Sequence, residues 1–268
     1  MTAARAARAL LLLLAAAALP ARGDEPRDAW ETGEPRLFAA GVVDLGMPEH
    51  AALMAGFGKP HNMWGGLIAH GWLSSDFYAG RIGARVDLQA LGLEAGVRAS
   101  RSFAHLPLPV EAEHRGIPTG GGYATRVLDL SASGGLPLGP GFAIYEFLGA
   151  RLLSSHGDVD VYDELLRIVY RPPWLATASA GWLASLRQGA LLAGGRAQWA
   201  YRTGRGGDAF VRAGPVVYWR MQPHLALAGE LLYPVSQPDR LGFLDPIEAF
   251  LVVEFTAATG DTQLPRWP

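Results

Sequence analysis

Residues 78–100, YAGRIGARVDLQALGLEAGVRAS, alternate in chemistry with a period of two. Tyr78, Gly80, Ile82, Ala84, Val86 and Leu88 make one face, and Arg81, Gly83, Arg85 and Asp87 make the other. After Gln89 the alternation resumes, with Leu91, Leu93, Ala95, Val97 and Ala99 set against Gly92, Glu94, Gly96, Arg98 and Ser100. A period of two is the signature of a β-strand, whose successive side chains leave on opposite faces. One face is apolar and the other charged, so the fold class turns on which of them meets water.

The same reading along the chain gives about twelve extended segments: 37–45, 50–58, 63–75, 77–88, 90–100, 121–135, 141–154, 174–186, 188–202, 208–221, 224–233 and 247–257. No composition break or fixed-period repeat divides them, so one domain is expected. Segments 2 and 3, 4 and 5, 6 and 7, 8 and 9, and 10 and 11 are separated by a few residues each. The long connections, 101–120, 155–173 and 234–246, all belong to the other set of joints, with 203–207 intermediate. Short turns at one end, long loops at the other and an even strand count describe a closed antiparallel transmembrane β-barrel of about twelve strands. Glycine is abundant, with 34 residues, many inside the strand segments. Glycine weakens an ordinary strand but suits tight curvature or close backbone packing.

The charges test this further. Arg81, Arg85 and Asp87 share a face, as do Glu94 and Arg98, Arg196 and Arg202, Asp208, Arg212 and Arg220, and Glu248 and Glu254; Glu230 is the one charge of its segment. Two segments disobey: Arg126 and Asp129 fall on opposite faces, and so do Glu146 and Arg151. A β-bulge in each would restore the pattern. Arg101, just past its segment, also breaks parity.

Aromatic residues discriminate lipid from a soluble core. Trp174 and Trp182 lie on one face with only Ala176, Ala178 and Ala180 between, and Trp64 and Trp72 have the same separation. Eight strand residues cover about 26 Å, or about 20 Å along the membrane normal after tilting, close to the height of an apolar band edged by aromatic girdles. Tyr78, Trp199, Tyr201, Trp219 and Tyr233 are further candidates for the lipid interface. Trp suits that interface because its ring is apolar and its N–H polar. The charged face then looks into a water-bearing interior and the apolar face at lipid. On this reading His70, which shares a face with Trp64 and Trp72, points outward at interfacial depth.

The ends and the composition agree. Residues 1–23 read as a secretory signal peptide: Arg5 and Arg8, an apolar run over 9–19, then Ala21-Arg22-Gly23. Residues 24–36 form a periplasmic N-terminal segment, 37–257 the barrel and 258–268 a C-terminal tail. The chain has no cysteine, which removes disulfides, thiolate zinc sites and cysteine nucleophiles. Beyond the leader no apolar run approaches the ~20 residues of a membrane-spanning helix. A net charge of −2 supplies no field for nucleic acid.

With these features the chain resembles the outer-membrane β-barrel proteins of Gram-negative bacteria, porin-like and uncharacterised members included, over about residues 37–257. GFGKPHNMWGGL and YDELLRIVYRPPWL are similar to stretches in such barrels. The resemblance implies an outer-membrane location, contact with the lipid bilayer and insertion by the barrel-assembly machinery. It implies no activity. The chain departs from the pattern at its end. Such proteins finish on an aromatic strand terminus, whereas here the last strand ends near Phe255 and TAATGDTQLPRWP follows.

Candidate chemistry is sparse. Ser155, His156 and Asp158 are neighbours in SSHGD, but a hydrolase needs convergence in space rather than adjacency. The histidines, His50, His61, His70, His105, His114, His156 and His224, are dispersed and make no metal-ligand pattern. No cofactor is implied and no enzymatic role expected. In DVYDELLRIVYRPP, Asp160 caps a short helix with Val161, Leu165, Ile168 and Val169 on one side and Pro172 at its end. That helix rests on the rim or, alternatively, folds into the mouth as a constriction. Inward arginines and acids then line the lumen: Arg81, Arg85, Asp87, Glu94, Arg98, Arg196, Arg202, Arg212, Arg220, Glu230, Glu248 and Glu254. They form either a salt-bridged filling or a charged constriction, and the arginine surplus tilts the latter toward small anionic solutes. The expected role is a narrow pore or a structural membrane barrel. The rivals are an outer-membrane enzyme on the same scaffold and a soluble exported barrel that binds an apolar ligand with its apolar face inward.

Overall fold

A computed structural model of the chain describes residues 34–46, 48–59, 63–88, 90–109, 121–139, 141–154, 159–186, 190–202, 209–222, 225–236 and 248–258. The signal-peptide segment, the C-terminal tail, the SSHGD residues 155–158 and Asp208 lie outside them.

In chain order the strands are β1 (Arg36–Leu45), β2 (Glu49–Lys59), β3 (Met63–Leu73), β4 (Phe77–Leu88), β5 (Leu91–Ser102), the two-residue β6 (Leu108–Pro109), β7 (Tyr123–Leu138), β8 (Gly141–Leu152), β9 (Val159–Asp163), β10 (Ile168–Tyr170), β11 (Trp174–Leu186), β12 (Leu191–Arg202), β13 (Ala209–Gln222), β14 (Leu225–Ser236) and β15 (Glu248–Ala258). Twelve of them close a barrel, each hydrogen-bonded antiparallel to its neighbours, and β15 pairs with β1 to seal it. The remaining three, β6, β9 and β10, form a separate small sheet. The expected twelve-stranded barrel is therefore the observed one, and β15, Glu248–Ala258, is the strand that closes it, one residue longer than the sequence boundary at 257. Twelve strands ~4.8 Å apart, tilted by ~40°, close a ring of about 12 Å radius.

Residues 78–100 behave as their alternation predicts. Ile82 is 73% exposed on the outside, whereas Arg81 and Arg98 are buried inside. The apolar exterior continues around the wall through Leu37, Leu53, Leu67, Leu130, Phe147 and Leu251, all exposed. A water-soluble monomer rarely shows so continuous an apolar surface. The soluble rival needs the apolar face inward, and the structure has it outward.

Glycines fit the curvature. Gly83 and Gly96 pair across β4 and β5. A Cβ on Gly83 would lie 2.5 Å from the Ala95 carbonyl oxygen. Their missing side chains let the two backbones close up.

Three expectations are corrected here. First, β7 and β8 carry no bulge, since their pairing to each other and to β5 and β11 is continuous. Asp129 and Glu146 face inward, and Arg126 and Arg151 simply face outward near the long-loop end. Second, β3 is turned the other way from the reading given above. Trp64, Trp72 and His70 point into the barrel, and Met63, Leu67, Ala69 and Leu73 point out. Trp64 is only 6% exposed and meets Phe38 edge-on at 5.1 Å. Third, residues 159–170 form a β-hairpin and contain no helix.

Candidate functional site: an inward-folded hairpin over a charged inner wall

The connection from β8 to β11 does not rest on the rim. Its hairpin, β9 and β10 joined by residues 164–167, has both strands largely buried and a partly exposed turn. Val161, Ile168 and Tyr170 pack against inward-facing Tyr123 and Val127 of β7, Ala150 and Leu152 of β8, Leu175 of β11, Ala200 of β12 and Phe210 of β13. Those wall residues all lie toward the long-loop ends of their strands, so the hairpin occupies the outer mouth. β6 pairs with the free edge of β9, Leu108 opposite Asp160. A sheet edge that would otherwise offer unpaired amides is thereby covered on that side.

Polar contacts fix the hairpin. Asp163 sits where β9 ends, and its Oδ1 accepts the backbone N–H groups of Leu165 (3.1 Å) and Leu166 (3.2 Å). This shapes the turn, in which Arg167 adopts a positive φ of 55°. The same carboxylate receives both terminal nitrogens of Arg98, at 3.2 and 2.6 Å, reaching in from β5. On the other side Arg212 of β13, fully buried, donates to the Leu166 carbonyl at 3.2 Å and to Gln198. Tyr123 donates to the Tyr162 carbonyl, and His105 bonds Glu164 at 2.8 Å. Arg171 pairs with the buried Asp160 at 3.3 Å. Burial first, then the Asp163 carboxylate, pushes the Tyr170 phenol well above its ordinary range.

Beneath the hairpin the charges continue across the inner wall. Arg98 also meets Asp129 at 3.2 Å, and Asp129 lies 3.5 Å from Arg81. Arg81 pairs with Glu94, which lies 3.7 Å from Arg85 and 3.4 Å from His70. Arg85 bonds Asp87 at 2.6 Å and lies over the Trp64 ring at 5.8 Å. His70 and His50 are 3.0 Å apart, and His50 meets Asp44 at 2.7 Å. Their rings and that of Trp72 lie near-parallel, with centroids 5.1–5.3 Å apart. One connected run thus joins the hairpin to Asp44 near the outer end of β1 and to Asp87 near the inner end of β4. On the opposite wall Arg196 binds Glu146 and, at 3.1 Å, Glu230.

Of the predicted inner residues, Arg81, Arg85, Asp87, Glu94, Arg98, Arg196, Arg212, Glu230 and Glu254 point inward, and Arg220 lies on the inward side of β13. The side chains of Arg202 and Glu248 lie outside the described residues. Asp44, His50, His70, Asp129, Glu146 and Asp163 also face the interior, and the sequence reading had not counted them. His70 carried a usable signal, because a histidine is costly on a lipid face. Of the predicted interface aromatics, Tyr78, Trp174, Trp182, Trp199, Tyr201, Trp219 and Tyr233 face outward and are exposed. Trp64 and Trp72 do not join them.

No protein-family model matches this chain, and no curated protein matches it in sequence. Among solved structures, a membrane protein studied for its crystallisation in meso is similar over 83% of this chain and 84% of its own, at 11% identity and a TM-score of 0.48. The NanC porin is similar over 83% and 98%, at 10% identity and a TM-score of 0.40. OmpT of Vibrio cholerae, an outer-membrane protein crystallised with a loop deleted, is similar over 84% and 99%, at 8% identity and a TM-score of 0.38. Likeness this distant carries no residue-level correspondence.

Proposed function

We propose that the chain spans the outer membrane, placed there by the barrel-assembly machinery, as a narrow pore for small polar solutes whose mouth is restricted by the β9–β10 hairpin. One observation carries the reading. The hairpin's apolar side leans on the β7–β13 half of the wall, while polar groups on the β1–β5 half keep solvent access. Asp44, His50 and His70 near the outer end, and Arg85 and Asp87 near the inner end, have side chains 13–30% exposed although they face inward. The continuous apolar exterior supports lipid on the other side of the same strands.

Selectivity by sign is expected to be weak. Asp44, Asp129, Glu146 and Asp163 join the inner acids, so each inward arginine named in the ion pairs has a carboxylate beside it. A paired wall presents both signs to a passing solute. This replaces the anion preference that the arginine surplus suggests.

The test is planar-bilayer conductance of the mature chain, after heat-dependent gel migration has established a folded barrel. Small, steady steps with little preference between cation and anion are expected. A folded barrel that stays silent would overturn the pore and favour a closed, structural barrel.

A further inference from the structure

Three arginines stand on the outer side of the wall, opposite the inward-facing arginines. Arg101, Arg126 and Arg151 face outward and are exposed, on the successive wall strands β5, β7 and β8. Each lies within a few residues of its strand's long-loop end. The rows of the sheet run Tyr78, Arg101, Ala124; then Gly80, Ala99, Arg126; then Ile82, Val97, Leu128, Arg151, Trp174. Arg101 and Arg126 are therefore diagonal neighbours, ~7–8 Å apart at the backbone and within joint reach of one small anion.

Between them the surface is hollow. Tyr78, Ala99, Arg101, Ala124, Arg126 and Ser154 border a groove of about 320 Å³ on the barrel's outside. The alanines leave space, Tyr78 walls one side, and Ser154 Oγ accepts the Arg126 backbone N–H at 3.1 Å. No carboxylate pairs with Arg101 or Arg126 among the described residues, in contrast to the inner Arg81, Arg85, Arg98 and Arg196. Arg151 instead lies over the Trp174 ring at 5.6 Å. Toward the middle of the wall the groove runs onto exposed Val97 and Leu130. A cationic rim above an apolar slope, at the edge of a lipid-facing band, complements a molecule with an anionic head and an acyl tail.

We propose that this groove binds a membrane lipid through its phosphate headgroup, held by Arg101 and Arg126, with an acyl chain along Ala99, Val97 and Leu130. The proposal rests on the membrane-spanning reading above. The probe is phosphatidic acid, added to the folded chain in neutral detergent and counted by native mass spectrometry, with diacylglycerol and inorganic phosphate as comparison ligands. The chain retains phosphatidic acid, and diacylglycerol is retained poorly. Inorganic phosphate at the same concentration does not displace the lipid. The Arg101→Ala, Arg126→Ala double variant weakens retention by about thirtyfold, from two lost surface charge contacts. The Arg101→Lys, Arg126→Lys variant, which keeps the charges, retains most of it. Equal retention by the alanine variant, with its heat-dependent gel shift intact, overturns the lipid site alone. Displacement by free phosphate overturns it in favour of a soluble anion. A chain that stays folded without detergent overturns both the site and the membrane reading.

Discussion

Replacing Asp163 by alanine should release the hairpin from the mouth while leaving the barrel closed. Asp163, at the end of β9, takes two bonds from Arg98 on the barrel wall and two from the turn amides. Arg98 is 4% exposed, so the substitution strands a buried guanidinium with Asp129 as its remaining described carboxylate. Removing one member of a buried pair costs about 3–5 kcal/mol. Charged to docking alone, that shifts the docked-to-free ratio by roughly a hundredfold to a few thousandfold. The apolar contacts of Val161, Ile168 and Tyr170 favour docking, but ordering the segment opposes them. The variant should therefore show larger and noisier conductance steps than the natural chain. Trypsin should cut after Arg167, which the docked hairpin protects. Asp163→Asn keeps the shape and should fall between the two. An Asp163→Ala barrel with normal gel shift, unchanged conductance and full trypsin resistance would refute the anchor.

Three further outcomes are expected. Trp64→Ala should lower stability to urea in detergent by about 3–5 kcal/mol, the cost of emptying a buried aromatic site. Trp182→Ala, at a position 61% exposed to the exterior, should change it far less, and equal losses would refute the inward orientation of β3. Ile82→Arg, outward and midway along β4, should cost about 2–4 kcal/mol in refolding equilibria with lipid vesicles; a neutral result would remove Ile82 from the lipid face. Gly83→Ala should destabilise by about 1–3 kcal/mol through its clash with the Ala95 carbonyl. Gly71→Ala, where an added Cβ meets nothing within 4 Å, should be neutral in the same thermal gel-shift assay.

Wherever a strand carries charges on one face and aliphatics on the other, its orientation was legible from the sequence. The stretch 78–100 is the clearest case, because burying Arg81 and Arg98 within the barrel and Ile82 against lipid leaves no competing arrangement. In β3 the rule weakens, since it has no arginine or acid and both faces are apolar. The two tryptophans then suggested an interface, although Phe38 and Arg85 make a better site for Trp64 inside. His70 pointed the right way and was outweighed. The hairpin was hidden for a different reason. Val161, Leu165 and Ile168 have helical spacing, and β9 and β10 are too short to display alternation. What makes them strands is their surroundings: β6 along one edge and an apolar wall on β7–β13, neither of which is local in sequence. Arg126 and Arg151 need no bulge, because a charge close to the long-loop end of a strand can face outward without entering the apolar band.

The seam between β1 and β15 has a consequence for how the molecule is assembled. It joins residues near position 40 to residues near 258, the largest sequence separation in the wall. Contacts between such distant parts of a chain carry the largest loop-closure cost and form late. The open sheet thus exists before the ring does, with Arg98 and Arg212 on strands that must approach Asp163 and Leu166 from two sides. The hairpin can take its place while the sheet is still curling, and the last zipper then locks it in.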